Sequence, residues 1–364
     1  MIKNNVFLKT LNEQTTQRPP VWFMRQAGRI LPSYLELKKN YSFDELMQDK
    51  RLAAKVTLLP INDLGVDAGI LFSDILVIPK ALGLQLEFTN LGPKFNNALK
   101  QDIDTKNLSF DPIKLEYIYN NIKQIKKQRP DTPLIGFCGG PLTTLLFMFR
   151  RNELKKDFTD VIKLFYKEKE KCLNLMEMIT EASLEYTRNQ IKSGIDCFQL
   201  FETYCGIIPQ EMYTELVLPF SKKILNVAME GNCKTIFFPK NYNMGLKELN
   251  KGICDFASID WQLPIETART LLDKNVGIQG NMDPRLFFSD KNEIEKYLIS
   301  LKNFGEKNGD LRYILHFPKA GYISVPMFAT QNIENAAIRS GARFFLGKRV
   351  VEIHKKNNQV TGVS

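Results

Sequence analysis

The sequence is poor in the side chains and motifs that most often hold metals or nucleotides. Its 364 residues include only two histidines, His316 and His354, and six cysteines without a Cys-x-x-Cys pair. No His-x-Cys sequence occurs, which argues against a zinc site built from that motif and a distant cysteine. No Gly-x-Gly-x-x-Gly follows the first candidate strand. The sequence therefore predicts a protein that works without a metal.

Long apolar runs are also missing. No run reaches the roughly 18 to 20 residues that a membrane-spanning helix needs. The N-terminal sequence MIKNNVFLKT lacks the apolar core and small-residue cleavage site of a secretory signal. The scattered cysteines are typical of free thiols in a reducing compartment. We therefore expect a cytoplasmic protein with no membrane partner.

Positive charge, in contrast, is abundant. Fifty lysines and arginines against 40 acidic residues give a formal net charge of +10. Two interpretations stay open, a solvated lysine-rich surface or a surface that attracts a polyanion or a polycarboxylate. The lysines are spread along the chain and are not gathered in a tract interleaved with aromatics. This distribution argues against a nucleic-acid partner.

Short apolar runs alternate with longer helical patterns along the chain. The predicted strands are residues 67–72, 133–138, 196–202, 235–239, 255–260, 276–280 and 312–317, and the predicted helical stretches are 154–188, with one break, 209–230 and 264–273. The strands lack period-two alternation, as parallel strands buried on both faces should. Seven strands and one unassigned strand would close a single (β/α)8 TIM barrel, which we predict over residues 1–338. An open doubly wound sheet is the alternative.

Polar or small residues follow several predicted strands. They are Ser73-Asp74, Gly139-Gly140-Pro141, Glu202-Thr203, and Asn281 with Asp283. In a TIM barrel the carboxyl ends of the strands form the active-site face. We therefore expect these residues at one rim, although turn residues are common in any loop.

Two segments carry charged residues in apolar surroundings. Arg25 and Arg29 lie four residues apart after the apolar run 21–24, and each guanidinium can grip a carboxylate in two places. Salt bridges at the start of a surface helix are the alternative interpretation. Asp74 interrupts the apolar segment ILFSDILVIP, where it can serve as a helix cap or as a buried acceptor for substrate N–H groups.

These segments resemble the signature of the uroporphyrinogen decarboxylases. That family typically shows PVWxMRQAGRYLPEY and FSDILVxPxALG, where this sequence has PVWFMRQAGRILPSY and FSDILVIPKALG. The likeness continues through LIGFCGGPLT, FQLFETYCG and QGNMDP, in the family's order, and covers roughly residues 1–320. The first two motifs are long and specific.

The resemblance implies a cofactor-free TIM-barrel enzyme, a homodimer in the family, that decarboxylates the four acetate side chains of uroporphyrinogen to give coproporphyrinogen. By likeness, Asp74 accepts hydrogen bonds from the pyrrole N–H groups, and Arg25 both binds a carboxylate and helps to manage a proton. The implied catalytic residues are Asp74 and Arg25, and the implied substrate-binding residues are Arg25, Gln26, Ala27, Gly28, Arg29, Lys38, Phe137, Phe147, Phe201, Thr203 and Lys319.

Several positions depart from the family pattern. Phe147 replaces the usual tyrosine, Leu142 the usual tryptophan, and Thr203 a serine. Lys319 stands at the position of the histidine in the family's NLGHGxxP motif, and His316 at that of its asparagine. A catalytically weakened homologue that binds an anionic tetrapyrrole is therefore the second hypothesis.

The C-terminal tail differs from the helix that normally ends the family. Residues 339–364 contain two β-prone runs around Lys355–Asn358, which predicts a β-hairpin with its turn there. We interpret this tail as separate from the barrel.

Overall fold

Parallel strands form the centre of the fold. The computed structural model describes residues 5–14, 16, 18–23, 31–89, 92–100, 103–150, 158–307, 313–317, 353–356 and 359–363. Its first ten strands are β1 (Val21–Phe23), β2 (Gly69–Ile70), β3 (Leu86–Thr89), β4 (Gly92–Phe95), β5 (Leu134–Gly139), β6 (Cys197–Glu202), β7 (Lys234–Pro239), β8 (Phe256–Ser258), β9 (Gly277–Gln279) and β10 (Tyr313–Phe317). Eight form one parallel sheet in the order β1-β10-β9-β8-β7-β6-β5-β2, whereas β3 and β4 form an antiparallel hairpin.

Helices connect the strands of this sheet. They are α1 (Val6–Leu11), α2 (Pro32–Asn40), α3 (Phe43–Gln48), α4 (Lys50–Leu64), α5 (Val77–Ala81), α6 (Glu116–Gln128), α7 (Pro141–Met148), α8 (Thr159–Lys167), α9 (Lys169–Ser193), α10 (Gln210–Leu216), α11 (Leu218–Glu230), α12 (Ile265–Leu271) and α13 (Lys291–Lys307). Short 3-10 helices cover Pro112–Leu115, Cys205–Ile207, Asn243–Glu248 and Pro284–Phe288. The predicted break in residues 154–188 is confirmed, since α8 ends just before Glu168 and α9 begins just after it. Among the described helices, none is long and apolar enough to cross a bilayer.

The (β/α)8 TIM barrel is confirmed, and the open doubly wound alternative is wrong. All seven predicted strands occur, and the previously unassigned strand is β1. It escapes recognition because it has only three residues and follows Pro19-Pro20. The predicted burial on both faces is visible in β5 and β6, every residue of which is buried.

The two ends of the strand order, β1 and β2, meet at Asp67. The backbone N–H of Asp67 donates to the carbonyl of Val21 over 2.8 Å, and the N–H of Val21 donates to Oδ2 of Asp67 over 2.7 Å. The Arg18 guanidinium donates to both carboxylate oxygens, over 2.7 and 2.8 Å. One residue therefore joins the starts of the two strands and closes the sheet on itself.

The chain divides into two compact units, Met1–Ala320 and Gly321–Ser364. In the second unit β11 (Ile353–Lys356) pairs antiparallel with β12 (Gln359–Val363), and the register shifts between His354 and Lys355. The predicted division of the chain between residues 338 and 339 stays a prediction.

We expect Asp67→Ala to lower the free energy of unfolding by about 1 to 3 kcal/mol, because the Val21 N–H loses its acceptor at the barrel seam. Arg18→Ala is the matched control. It removes the ion pair but leaves the Val21 bond, and since the Arg18 side chain is 51% exposed it should cost less than about 1 kcal/mol. Urea denaturation measures both. Equal losses of stability in the two variants would contradict the conclusion that the hydrogen bond between Asp67 and Val21 joins β1 to β2.

Candidate active site

The carboxyl ends of the parallel strands place several loops at one rim of the barrel. The loops after β2, β5 and β6 lie beside one another, because β2, β5 and β6 are consecutive in the sheet. The polar residues after β9 have structural partners instead. The Asn281 amide donates to the carbonyls of Asp260 and Leu263, over 3.0 and 2.6 Å, and Asp283 pairs with Arg285 at 2.7 Å. The site is therefore built mainly on β2, β5 and β6.

Asp74 lies half-buried in the turn between β2 and α5. Its Oδ1 accepts a hydrogen bond from the N–H of Leu76 over 2.8 Å, so part of the predicted capping role is present. Burial first, and then the charges of Asp74 and Asp44, raise the pKa of Tyr117 well above its ordinary value. The charge of Asp74 therefore acts on Tyr117 of α6, and the hydrogen bond from Leu76 fixes the orientation of its carboxylate.

An aromatic wall rises from β5 and β6. Phe137 and Phe201, both buried, meet edge to face with ring centroids 5.6 Å apart, and Phe201 meets Phe238 of β7 at 6.3 Å. The three rings thus pack as one apolar group, and the role of Phe137 and Phe201 as walls of a substrate site stays a prediction. Such a surface excludes water and strengthens nearby charge interactions.

A second aromatic cluster packs beside α7. The ring of Phe147 lies 5.7 Å from that of Tyr204 and 5.8 Å from that of Phe158. The guanidinium of Arg150 covers the Phe158 ring at 4.0 Å and pairs with Asp160 at 3.1 Å. Sequence reasoning included Phe147 and missed the other members of this cluster. Phe158 and Tyr204 also meet, with ring centroids 4.8 Å apart, although they lie far apart in the sequence and no local motif indicates their contact.

A buried carboxylate joins the β5–α7 loop to the end of β6. Glu202 is fully buried and accepts hydrogen bonds from the N–H of Leu142 (3.3 Å), the N–H of Thr143 (2.7 Å) and Oγ1 of Thr143 (2.5 Å). Burial raises the pKa of this carboxyl to about 7, and the three hydrogen bonds oppose that rise. Sequence reasoning placed Glu202 at the rim but gave it no role.

The remaining predicted residues fall into two groups. Thr203 is half-buried between Glu202 and Tyr204, and Lys38 is exposed in the last turn of α2. Arg25, Gln26, Ala27, Gly28, Arg29 and Lys319 lie outside the described residues. The roles assigned to both groups stay predictions.

A polar layer fills the barrel interior. Nε1 of Trp22 donates to Oε1 of Gln279 over 3.0 Å, and Nε2 of Gln279 donates to Oγ of Ser258 (3.1 Å) and Oε1 of Gln199 (3.3 Å). Because β6 and β9 are not neighbours in the sheet, Gln199 and Gln279 meet across its inside. This layer joins β1 to β9 through Trp22 and Gln279. Across the described residues, no three His, Cys, Asp or Glu side chains are grouped as a metal would require.

Comparisons with known proteins agree with this architecture. The family described as Uroporphyrinogen decarboxylase (URO-D) matches residues 2–317. A uroporphyrinogen decarboxylase of Geobacter metallireducens is 36% identical over 295 residues, which cover 80% of this chain and 86% of that protein. One of Vibrio vulnificus is 33% identical over 335 residues, which cover 89% and 94% respectively.

A solved structure supports the fold alone. A methyltransferase from Methanosarcina mazei superposes with a TM-score of 0.66 at 16% identity, covering 92% of this chain and 98% of that one. At this identity the similarity extends to the barrel and not to the reaction.

We expect Gly140→Ala to lower the free energy of unfolding by about 1 to 3 kcal/mol, because an added Cβ would lie 2.4 Å from the buried Glu202 carboxylate. Gly69→Ala is the control, since its Cβ would meet nothing closer than 3.5 Å, and its effect should stay within about 1 kcal/mol. Chemical denaturation compares the two. Indistinguishable stabilities would mean that the β5–α7 loop shifts freely away from Glu202.

Proposed function

Because the chain belongs to the uroporphyrinogen decarboxylase family, we propose that it decarboxylates the four acetate side chains of uroporphyrinogen to coproporphyrinogen, in the cytoplasm and without a cofactor. The main structural support for the proposal is the position of Asp74. It is a half-buried carboxylate at the carboxyl end of β2, beside the apolar loops of β5 and β6, within the motif FSDILVIPKALG. An anion there suits a substrate whose centre presents four N–H groups.

The chemistry needs an electron sink rather than a metal. Protonation of a pyrrole ring gives an iminium-like cation, which accepts the electron pair of the breaking carbon–carbon bond as carbon dioxide leaves. The exocyclic methylene that remains then takes up a proton, and the ring gives back the proton that it first gained, so the pyrrole is restored and each acetate becomes a methyl group. Asp74 accepts hydrogen bonds from the pyrrole N–H groups, and its negative charge stabilises the cation.

Cations and apolar walls complete the proposed site. Arg25, Arg29, Lys38 and Lys319 bind the carboxylates at the mouth, and the segment Gln26–Gly28 lines the same substrate. Phe137 and Phe201 exclude water from the reacting ring. Thr203 keeps the hydroxyl of the family's serine. We propose a homodimer on the same family grounds.

A second candidate function rests on two substitutions. Phe147 lacks the hydroxyl of the family's tyrosine, and Lys319 replaces its histidine, so the chain is alternatively a weakened homologue that binds an anionic tetrapyrrole. Anaerobic incubation of the purified protein with uroporphyrinogen, followed by product identification, separates the two. Coproporphyrinogen supports the enzyme, whereas tight binding without decarboxylation supports the weakened homologue.

We expect Asp74→Asn to fold normally and to lose decarboxylase turnover by about 100- to 1,000-fold or more, because the amide lacks the charge that stabilises the protonated pyrrole. Product formation is followed together with circular dichroism. The exposed Asp63→Asn on α4 is a matched control that should keep full turnover. Near-normal turnover of Asp74→Asn would remove Asp74 from the mechanism.

Lys319 is proposed to contact one substrate carboxylate. Lys319→Ala should raise KM by a factor of several to about a hundredfold with a smaller change in kcat, the pattern of lost uniform binding. Steady-state kinetics provide the measurement. Kinetics equal to the parent would instead make Lys319 a solvated lysine, and a gain of activity in Lys319→His would identify the parent as a weakened enzyme.

A further inference from the structure

Glu202 occupies a position that an anionic ligand could otherwise take. Its carboxylate receives the first free N–H groups of α7, from Leu142 and Thr143, at 3.3 and 2.7 Å. The exposed N–H groups and dipole at a helix start favour a negative charge there. Since Glu202 ends β6, this arrangement clamps the start of α7 to the end of the neighbouring strand.

The clamp extends to the rim through one hydroxyl. Oγ1 of Thr143 donates to Glu202 and accepts the N–H of Tyr204 over 3.1 Å. Thr203 therefore lies between two residues that this single threonine fixes. The ring of Tyr204 in turn packs on Phe147 at 5.7 Å. Two proposed substrate contacts, Thr203 and Phe147, thus depend on the bonds that Glu202 accepts.

Glu202 is fully buried, and among the described residues no cation contributes to its electrostatic environment. The titratable groups facing it in the described elements include Cys138 of β5, Cys205 after β6 and Tyr213 of α10. Burial raises the pKa of each of these groups, so all three are neutral near pH 7. Glu202 itself, with its pKa raised to about 7, changes charge in that range.

We propose that Glu202 is a positioning residue whose ionised carboxylate holds the β5–α7 loop against Thr203 and Tyr204, so that decarboxylation depends on its ionisation. The proposal rests on the proposed function, since its kinetic readout is that reaction. Glu202 touches no substrate in this scheme. Its charge orders the rim, and protonation weakens the hydrogen bonds from Leu142, Thr143 and, through Thr143, Tyr204.

The first test measures stability against pH and needs no activity. A carboxyl whose pKa is raised on folding stabilises the native state most below its unfolded pKa, and this contribution is lost as the pH rises through about 7. Wild-type melting temperature should therefore contain a component that falls between about pH 4.5, the ordinary pKa of a glutamate, and about pH 7, and that levels off above this range. Glu202→Gln should lack that component, and the exposed Glu181→Gln on α9 should keep it.

The second test measures kcat and KM between about pH 6 and about pH 8, on both sides of the pKa of Glu202 in the folded protein. Wild-type kcat should rise as Glu202 ionises, and Glu202→Gln should lose that rise, with kcat lowered about 10- to 100-fold at about pH 8 and KM changed far less. Thr143→Val, which deletes the bridging hydroxyl, should lower kcat in the same way, whereas Thr143→Ser should retain it. Glu181→Gln should match the wild type.

The outcomes are distinguishable. A wild-type chain that forms no coproporphyrinogen would overturn the proposed function and the catalytic part of this inference together. Wild-type activity with an unchanged pH profile in Glu202→Gln, even with a lowered melting temperature, would overturn the positioning role and leave the proposed function standing. An equal loss in Thr143→Ser and Thr143→Val would overturn the link through the hydroxyl.

Discussion

The closure of the parallel sheet is the constraint on which the rest of this structure depends. Every strand of the sheet runs in the same direction, so closing it gathers the loops at the carboxyl ends into one ring. β1 contributes only three residues and pairs along its length with β10 alone. Asp67 supplies the hydrogen bonds on its other side. Together, β10 on one side and Asp67 on the other hold β1 in the closed sheet.

Much of the barrel could be predicted from the sequence, because a strand that is buried on both faces is recognisable as a short run of mostly apolar residues. β5 is a continuous apolar run and β6 is mostly apolar, and the long helical pattern between them breaks where α8 ends and α9 begins. β1 has no comparable pattern in the sequence. Three residues after two prolines are too few for a period to be seen, although the count of eight strands required a strand that the pattern had not located.

Candidate site residues could be proposed from the sequence where they lie in contiguous motifs and not where distant residues meet. Asp74 and Phe201 were proposed from short stretches of sequence, and their roles stay predictions. The bonds from Thr143 to Glu202, by contrast, join residues 59 positions apart, and the bond between Trp22 and Gln279 spans 257 positions. Such pairs form only after the strands take their places in the sheet, so no local propensity indicates them.

The position of Trp22 gives the molecule an internal optical reporter. The chain has two tryptophans: Trp22 is fully enclosed in the barrel and hydrogen-bonded to Gln279, while Trp261 is half-buried beneath the guanidinium of Arg285 at 4.0 Å. An indole removed from water emits at shorter wavelength than a hydrated one. Opening of the barrel would therefore shift the emission of Trp22 to the red, so intrinsic fluorescence can follow the integrity of the β1 seam without any added dye.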